Sequence, residues 1–262
     1  MTSSTFTAPL RQSGSFFALC LDTMVQLFRS IIHRRFQWRE AIEQAWFLAS
    51  VTILPTALVS IPFGAVIALQ IGNLSRQVGA QSFTGSAAVL AIIREAAPIV
   101  CALLISGAGG SAICADLGSR KIRDEIDAME VLGISPIERL VVPRVFASMF
   151  VAVLLNGLVS VVGVIGGYTF NVLLQHGTPG AYIASFTALA QLPDLWVGEF
   201  KALIFGALAA LVASYKGLNP KGGPKGVGDA VNQSVIITFM LLFVVNFVIT
   251  TIYFQVIPQK AI

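Results

Sequence analysis

WFLASVTILPTALVSIPFGAVIALQIG, residues 46–72, runs for 27 positions without a charged side chain. A helix needs about 20 consecutive apolar residues to cross a hydrocarbon core about 30 Å thick, so this stretch is long enough to span a bilayer. Beyond it lie four more apolar runs, at 86–115, 145–174, 200–215 and 235–257. The second is interrupted only by Arg94 and Glu95; the fourth is short and carries Lys201. The 262 residues are 56% hydrophobic and 11% charged, against about a quarter charged in an ordinary soluble protein. Composition therefore excludes a soluble globular enzyme. It predicts an all-α integral membrane protein with five transmembrane helices, residues 1–262 forming a single transmembrane domain.

Basic residues in short loops are held on the cytoplasmic side. Thirteen of the 17 lie in alternate segments: Arg11, Arg29, Arg34, Arg35 and Arg39 before the first run, Arg120, Lys121, Arg123, Arg139 and Arg144 after the second, and Lys216, Lys221 and Lys225 after the fourth. The opposite segments hold only Arg76 and Lys260. The expected topology has a cytoplasmic N-terminus and an external C-terminus in the plasma (inner) membrane. The net charge of +4 reflects that orientation and calls for no nucleic-acid partner.

Residues 14–36, GSFFALCLDTMVQLFRSIIHRRF, place Phe16, Phe17, Cys20, Met24, Leu27, Phe28 and Ile31 on one helical face, with Asp22, Gln26 and Arg29 opposite. That pattern predicts an amphipathic helix lying in the membrane interface. A signal peptide has its charges before the apolar region, whereas here HRR comes after it. Cys20, Cys101 and Cys114 show no CxxC spacing, and His33 and His176 stand alone, so the cysteines read as small hydrophobes and no metal site is expected. The external segment 175–199 lacks Lys and Arg and contains Pro179, Gly180 and Pro193, which suggests a folded or re-entrant connection. YKGLNPKGGPKGVGDA, 215–230, has the look of a phosphate loop but lacks the GK[ST] ending and reads as a flexible connection.

The 20 residues EIDAMEVLGISPIERLVVPR, 125–144, hold six charges between two apolar runs. From Arg120 onward, Ile122, Ile126, Met129 and Leu132 recur at helical spacing, and Arg120/Asp124, Lys121/Glu125 and Arg123/Asp127 are spaced to pair across one turn. Gly133 supplies a left-handed stop. Ser135, Pro136 and Glu138 then form a capping box opening a second short helix, and Pro143 and Arg144 mark the return to the bilayer. Residues 117–142 thus specify helix, turn and helix, a shape suited to docking a soluble motor.

Within the runs, Arg94, Glu95 and Lys201 must pair or face water, because an unpaired charge at the bilayer centre costs about 2.5 kcal/mol or more. A Glu95–Lys201 contact with Arg94 nearby is expected, either as a rim salt bridge or as the mouth of a lipid cavity. Pro55, Pro62 and Pro98 should kink or break their helices. GAGGSA, 107–112, imitates a dinucleotide fingerprint, but it continues a long apolar run and not a βαβ unit. Gly107 and Gly110 read instead as packing or hinge positions.

Residues 94–144, REAAPIVCALLISGAGGSAICADLGSRKIRDEIDAMEVLGISPIERLVVPR, resemble the signature region of the MlaE/YrbE permease family, membrane subunits of ABC transporters that work with MCE proteins on lipids. GLNPKGGPKGVGDAVNQS, 217–234, is similar to the actinobacterial YrbE branch. The resemblance covers nearly the whole chain. It implies that Asp124, Glu125, Ile126, Asp127, Ala128 and Gly133 belong to a coupling helix entering a groove on the ATPase. It further implies a second permease subunit, paralogue or identical copy, and import of a phospholipid, fatty acid or sterol. ATP and magnesium would be bound by the ATPase, with no cofactor or catalytic residue in this chain. Departures are Asp124–Glu125 where the family often has Glu-Gln, Asp116 where it often has glutamate, and Ala108 where it often has arginine; the last suits one half of a heteromer. The competing readings are a stand-alone channel or secondary transporter, which leaves the capped helix unexplained, and a membrane lipid enzyme, for which no nucleophile–base set exists.

Overall fold

The structure, a computed structural model, describes residues 4–33, 36–80, 83–175, 178–189 and 191–256. Arg34, Arg35, His176 and Lys260, which enter the charge and metal readings above, lie outside the described residues. The elements are α1 (Ser4–Ile32), α2 (Trp38–Gln77), α3 (Thr84–Ala91), α4 (Ala97–Leu104), α5 (Ser111–Ile122), α6 (Glu125–Val131), α7 (Val142–Gln175), α8 (Pro179–Leu189), α9 (Leu192–Leu218) and α10 (Pro224–Val256). Wider π-helical turns join α3 to α4 (Ile92–Ala96) and α4 to α5 (Ile105–Gly110), and a third, Ile137–Val141, leads into α7. No strand occurs among the described residues.

Six helical segments among the described residues are long and apolar enough to cross a membrane: Gly14–Ile32, Trp38–Gln77, Thr84–Ile122, Ile137–Leu174, Leu192–Leu218 and Pro224–Val256. The first four runs read from hydropathy lie within the second to fifth of these, and the fifth lies within the last as far as Val256, where the described residues end. The fourth run, 200–215, proves to be part of a 27-residue helix. Asp194, Glu199 and Lys201 shorten its apolar signature, yet the helix continues through them because Asp194 and Lys201 find partners inside the protein. Residues 215–230, expected as a flexible connection, are mostly helical. α9 runs to Leu218, and Pro224, with its fixed φ and missing N–H, starts α10.

The chain packs as two compact units, Met1–Ala49, Ile105–Phe150 and Gly206–Met240 in one, Ser50–Leu104, Val151–Phe205 and Leu241–Ile262 in the other. In the first, α1 buries Leu19, Thr23, Leu27 and Ser30, and Leu27 joins Phe36, Ala41 and Val142 in a core cluster backed by Phe146. The opposite face of α1 exposes Phe17, Leu21, Val25, Phe28 and Ile32. Elsewhere in this unit Gly217 lies so close to α5 that a Cβ there would sit 2.8 Å from the Cys114 carbonyl oxygen.

In the second unit α2 crosses α7 at Gly64 and Gly163, where a Cβ on Gly64 would lie 2.1 Å from the Gly163 carbonyl oxygen. Small residues permit such backbone contact between membrane helices. Gly107 and Gly110, by contrast, sit in the π-helical turn Ile105–Gly110. Nothing lies within 4 Å of a Cβ on Gly107, and one on Gly110 would meet only ordinary contacts at 3.7 Å and beyond. Close helix packing therefore falls at Gly64 and Gly217. Pro55 and Pro62 do not break α2, which runs through both. Each proline removes one N–H donor, and a break would expose many more backbone groups to lipid. Segment 175–199 folds as α8 and the start of α9; Tyr182 of α8 is buried against α3 and meets the Tyr168 ring at 5.6 Å. Burial pushes the Tyr182 phenol up to about 12.

Candidate functional site

Pro98 organises the charged group of the second unit. It has no N–H to offer the Arg94 carbonyl four residues back, and the preceding turn is the π segment Ile92–Ala96. The freed carbonyl accepts a hydrogen bond from Lys201 Nζ at 2.9 Å. Lys201 also donates to Glu95 Oε1 at 2.9 Å and to Thr250 Oγ1 at 2.7 Å. An ammonium has three donors, and all three are used. Only 1% of Lys201 is exposed, so this complete set is what permits a lysine inside an apolar helix. Thr250 in turn donates to Glu95 Oε1 at 3.0 Å, and Asn246 Nδ2 donates to Glu95 Oε2 at 3.0 Å. Glu95 itself keeps 38% of its side-chain surface.

Arg94 turns away from that group. Its Nε donates to Asp194 Oδ1 at 2.6 Å, its guanidinium lies 5.4 Å from the Tyr253 ring centre, and the Tyr253 hydroxyl donates to the same Asp194 oxygen. The α9 start is fixed by Asp194 Oδ2, which accepts from the Gln191 amide at 2.9 Å. Asp194, Thr250, Asn246 and Tyr253 carry as much of this site as the three charges read from the runs. They escape a reading of sequence because a polar residue in a span carries no signal naming its partner. Glu199, which hydropathy puts in the external loop, lies within α9 beside Asn156, and its Oε2 is buried without a hydrogen-bond partner.

In the first unit, residues 117–142 depart from a continuous charged helix. α5 stops at Ile122, and Asp124 takes a left-handed conformation with φ 58° before α6 begins. The three i,i+4 pairs therefore do not form, since they need unbroken helix between them. Lys121 pairs with Asp127 instead, Arg123 Nε meets Glu125 Oε1 at 2.9 Å, and Arg120 Nε meets Asp116 Oδ1 at 3.2 Å. Gly133 stops α6 with φ 73°. Its amide donates to the Glu130 carbonyl at 3.0 Å and that of Ile134 to Met129 at 2.9 Å, the double closure of a Schellman turn. Ser135 Oγ accepts from the Glu138 amide at 3.4 Å. The segment beyond Ser135 does not form a separate short helix: the π turn Ile137–Val141 continues directly into α7 through Pro143.

Ile126, expected to face a partner, is 3% exposed and anchors α6 inward. Asp127 and Ala128 remain exposed, and the outward apolar surface comes from Val131 at 87% and Leu132 at 74%, with Ile134 beyond the turn. Arg144, read as a mere joint, is fully buried. Its guanidinium donates to Leu140 O at 2.6 Å and to Asp116 Oδ2 at 2.5 Å. Asp116 thus ties the end of α5 to the start of α7 and also holds Arg120, whose other side faces Glu125 at 4.0 Å.

Residues 41–252 match the family described as Permease MlaE. The chain belongs to the MlaE permease family. It is similar to a probable ABC transporter permease protein of Synechocystis, with 32% identity over 88% of each chain, and to one of Rickettsia typhi, with 29% identity over 92% of this chain and 90% of that one. Protein trigalactosyldiacylglycerol 1 of the Arabidopsis chloroplast is 26% identical over 88% of this chain and 66% of its own length. The match to the MlaE permeases takes in α6 and every charged residue of both groups, while α1 precedes it and Tyr253 lies just beyond its end. This MlaE permease is thus a multi-pass membrane protein of the ABC transporter permease type. Among its described residues no three or more potential metal ligands gather.

Proposed function

We propose that this chain is the membrane subunit of an ABC lipid transporter and that it meets its ATPase through the tip of α6. The observation that carries the reading is that tip: a short helix anchored by Ile126, closed by a Schellman turn at Gly133, and presenting Ala128, Val131, Leu132 and Ile134 outward. Exposed apolar side chains on a rigid stub are costly unless a partner covers them. Asp127, held by Lys121, flanks that surface. The Asp116 contacts link it to α7, so a push on α6 reaches a span through ion pairs rather than through a loose loop.

The lipid reading rests on the family and on the relative named for a galactolipid. In this reading Glu95, with its exposed edge, meets head groups near the external ends of the spans, backed by Lys201 and Arg94. A second permease subunit completes the path, MCE proteins deliver lipid from outside, and transport is inward, with the N-terminus cytoplasmic in the inner membrane. α1 lies along the interface and presents Phe17, Leu21, Val25, Phe28 and Ile32 to lipid.

The test is co-purification with the ATPase and lipid transport by the reconstituted complex. Leu132→Glu should abolish association, while Lys225→Gln, on an exposed residue away from α6 in sequence, should not. A chain that moves lipid fully without any ATPase would sink the proposal.

A further inference from the structure

A cavity of about 620 Å³ in the first unit is lined by Lys121, Tyr215, Lys216, Lys221, Asp229 and Gln233 among others. It gathers the end of α5, the end of α9, the short 219–223 connection and the first turns of α10. The volume is that of a small-ligand site, and its charge is unbalanced. Lys121 is matched by Asp127. Lys216 donates to the neutral Gln233 Oε1 at 3.0 Å, and among the described residues no carboxylate lies within ion-pair distance of Lys216 or Lys221. Two ammonium groups without an ion-pair partner among the described residues therefore face one concavity, and Asp229 is the one carboxylate among the described residues that line it.

The surroundings identify the anion. α9 and α10 are both long and apolar enough to span, so their connection lies at a membrane surface whichever side that is. The cavity wall continues into α1: the Tyr215 hydroxyl lies 2.7 Å from Ser15 Oγ, and the Tyr215 ring packs edge-on against Phe16 at 5.4 Å. α1 then exposes its apolar row of Phe17, Leu21, Val25, Phe28 and Ile32. A cationic hollow beside an apolar, lipid-facing helix holds a head group in the hollow and an acyl chain along the helix; basic pockets between membrane helices bind anionic lipids in this way.

We infer that this cavity binds the phosphate-bearing head group of an anionic membrane lipid, a site separate from the Glu95 group and independent of the ATPase reading. The test uses the full chain in nanodiscs containing phosphatidylcholine and phosphatidylglycerol, with retained lipid counted by native mass spectrometry. Phosphatidylglycerol should be retained about 25-fold over phosphatidylcholine, and Lys216→Gln or Lys221→Gln should each reduce that preference about fivefold. Lys225→Gln, exposed and outside the lining, should leave it unchanged. Should a variant misfold, the wild type alone decides, since dihexanoyl phosphatidylglycerol should raise its thermal midpoint and dihexanoyl phosphatidylcholine should not.

Equal retention of the two lipids, or a preference surviving in Lys216→Gln/Lys221→Gln, overturns the inference. Stabilisation by inorganic phosphate without preference for the anionic lipid identifies a soluble anion instead and also overturns it. Loss of ATPase association in the double variant with lipid preference intact makes the cavity a protein contact, with the same consequence.

Discussion

Arg144 has no exposed surface, while Asp116, its partner at 2.5 Å, keeps 41% of its side chain in the open. The two ends of this ion pair are therefore unequal. Removing Asp116 strands a buried guanidinium, and breaking a buried pair from that side costs about 3–5 kcal/mol. Removing Arg144 leaves a carboxylate that water and Arg120 still serve, at a cost near that of a surface pair, about 1 kcal/mol. It also deletes the buried Nε that has no acceptor. Asp116→Ala should accordingly lower the unfolding free energy, measured by denaturant titration in bicelles, by about 2 kcal/mol more than Arg144→Met does. Equal costs would show that the buried charge is relieved by some other route. The same logic applied to Lys201 and Glu95 predicts that either single charge reversal abolishes transport and that Glu95→Lys/Lys201→Glu restores a measurable part of it.

Among the helices, contact distance separates glycines that look alike in sequence. Gly64→Ala would drive a methyl to 2.1 Å from a backbone oxygen of α7, and such overpacking costs about 3 kcal/mol. Gly107→Ala meets nothing within 4 Å and should leave the thermal midpoint unchanged or raise it, as replacing an open helical glycine gains about 0.5–1 kcal/mol. A midpoint drop for Gly107→Ala as large as that for Gly64→Ala would refute the assignment of close packing. This contrast also marks how far the sequence can be read. Apolar runs, the Gly133 stop and the Ser135–Pro136 start are legible because each depends on local chemistry, and the Glu95–Lys201 contact comes from the need to neutralise two charges in lipid. The break at Asp124, the inward turn of Ile126 and the Asp116–Arg144 pair are not, because they depend on which surfaces meet. Periodicity marks an apolar stripe without saying whether it packs inward or waits for a partner.

For the molecule as a whole, the number of crossings turns on α1, and burial supplies an economical way to count them. α1 is long and apolar enough to cross by composition, yet it buries Leu19, Thr23, Leu27 and Ser30 against its own unit while exposing an apolar row, as an interfacial helix does. Five spans plus an interfacial helix put residue 14 on the same side as the 219–223 connection and opposite α8. Six spans put it on the α8 side. Gly14, Gly180 and Gly223 each have nothing within 4 Å of an added Cβ and no left-handed backbone, so a cysteine at any of them is tolerated. Cys101 and Cys114 are buried and should resist a membrane-impermeant maleimide, so only Cys20 needs replacement by alanine. In intact cells Gly180→Cys should label, whereas Gly14→Cys and Gly223→Cys should label only after permeabilisation. Labelling of Gly14→Cys in intact cells alongside Gly180→Cys would establish α1 as a sixth span and move the N-terminus outside, and labelling of Gly223→Cys there would invert the orientation drawn from the basic loops.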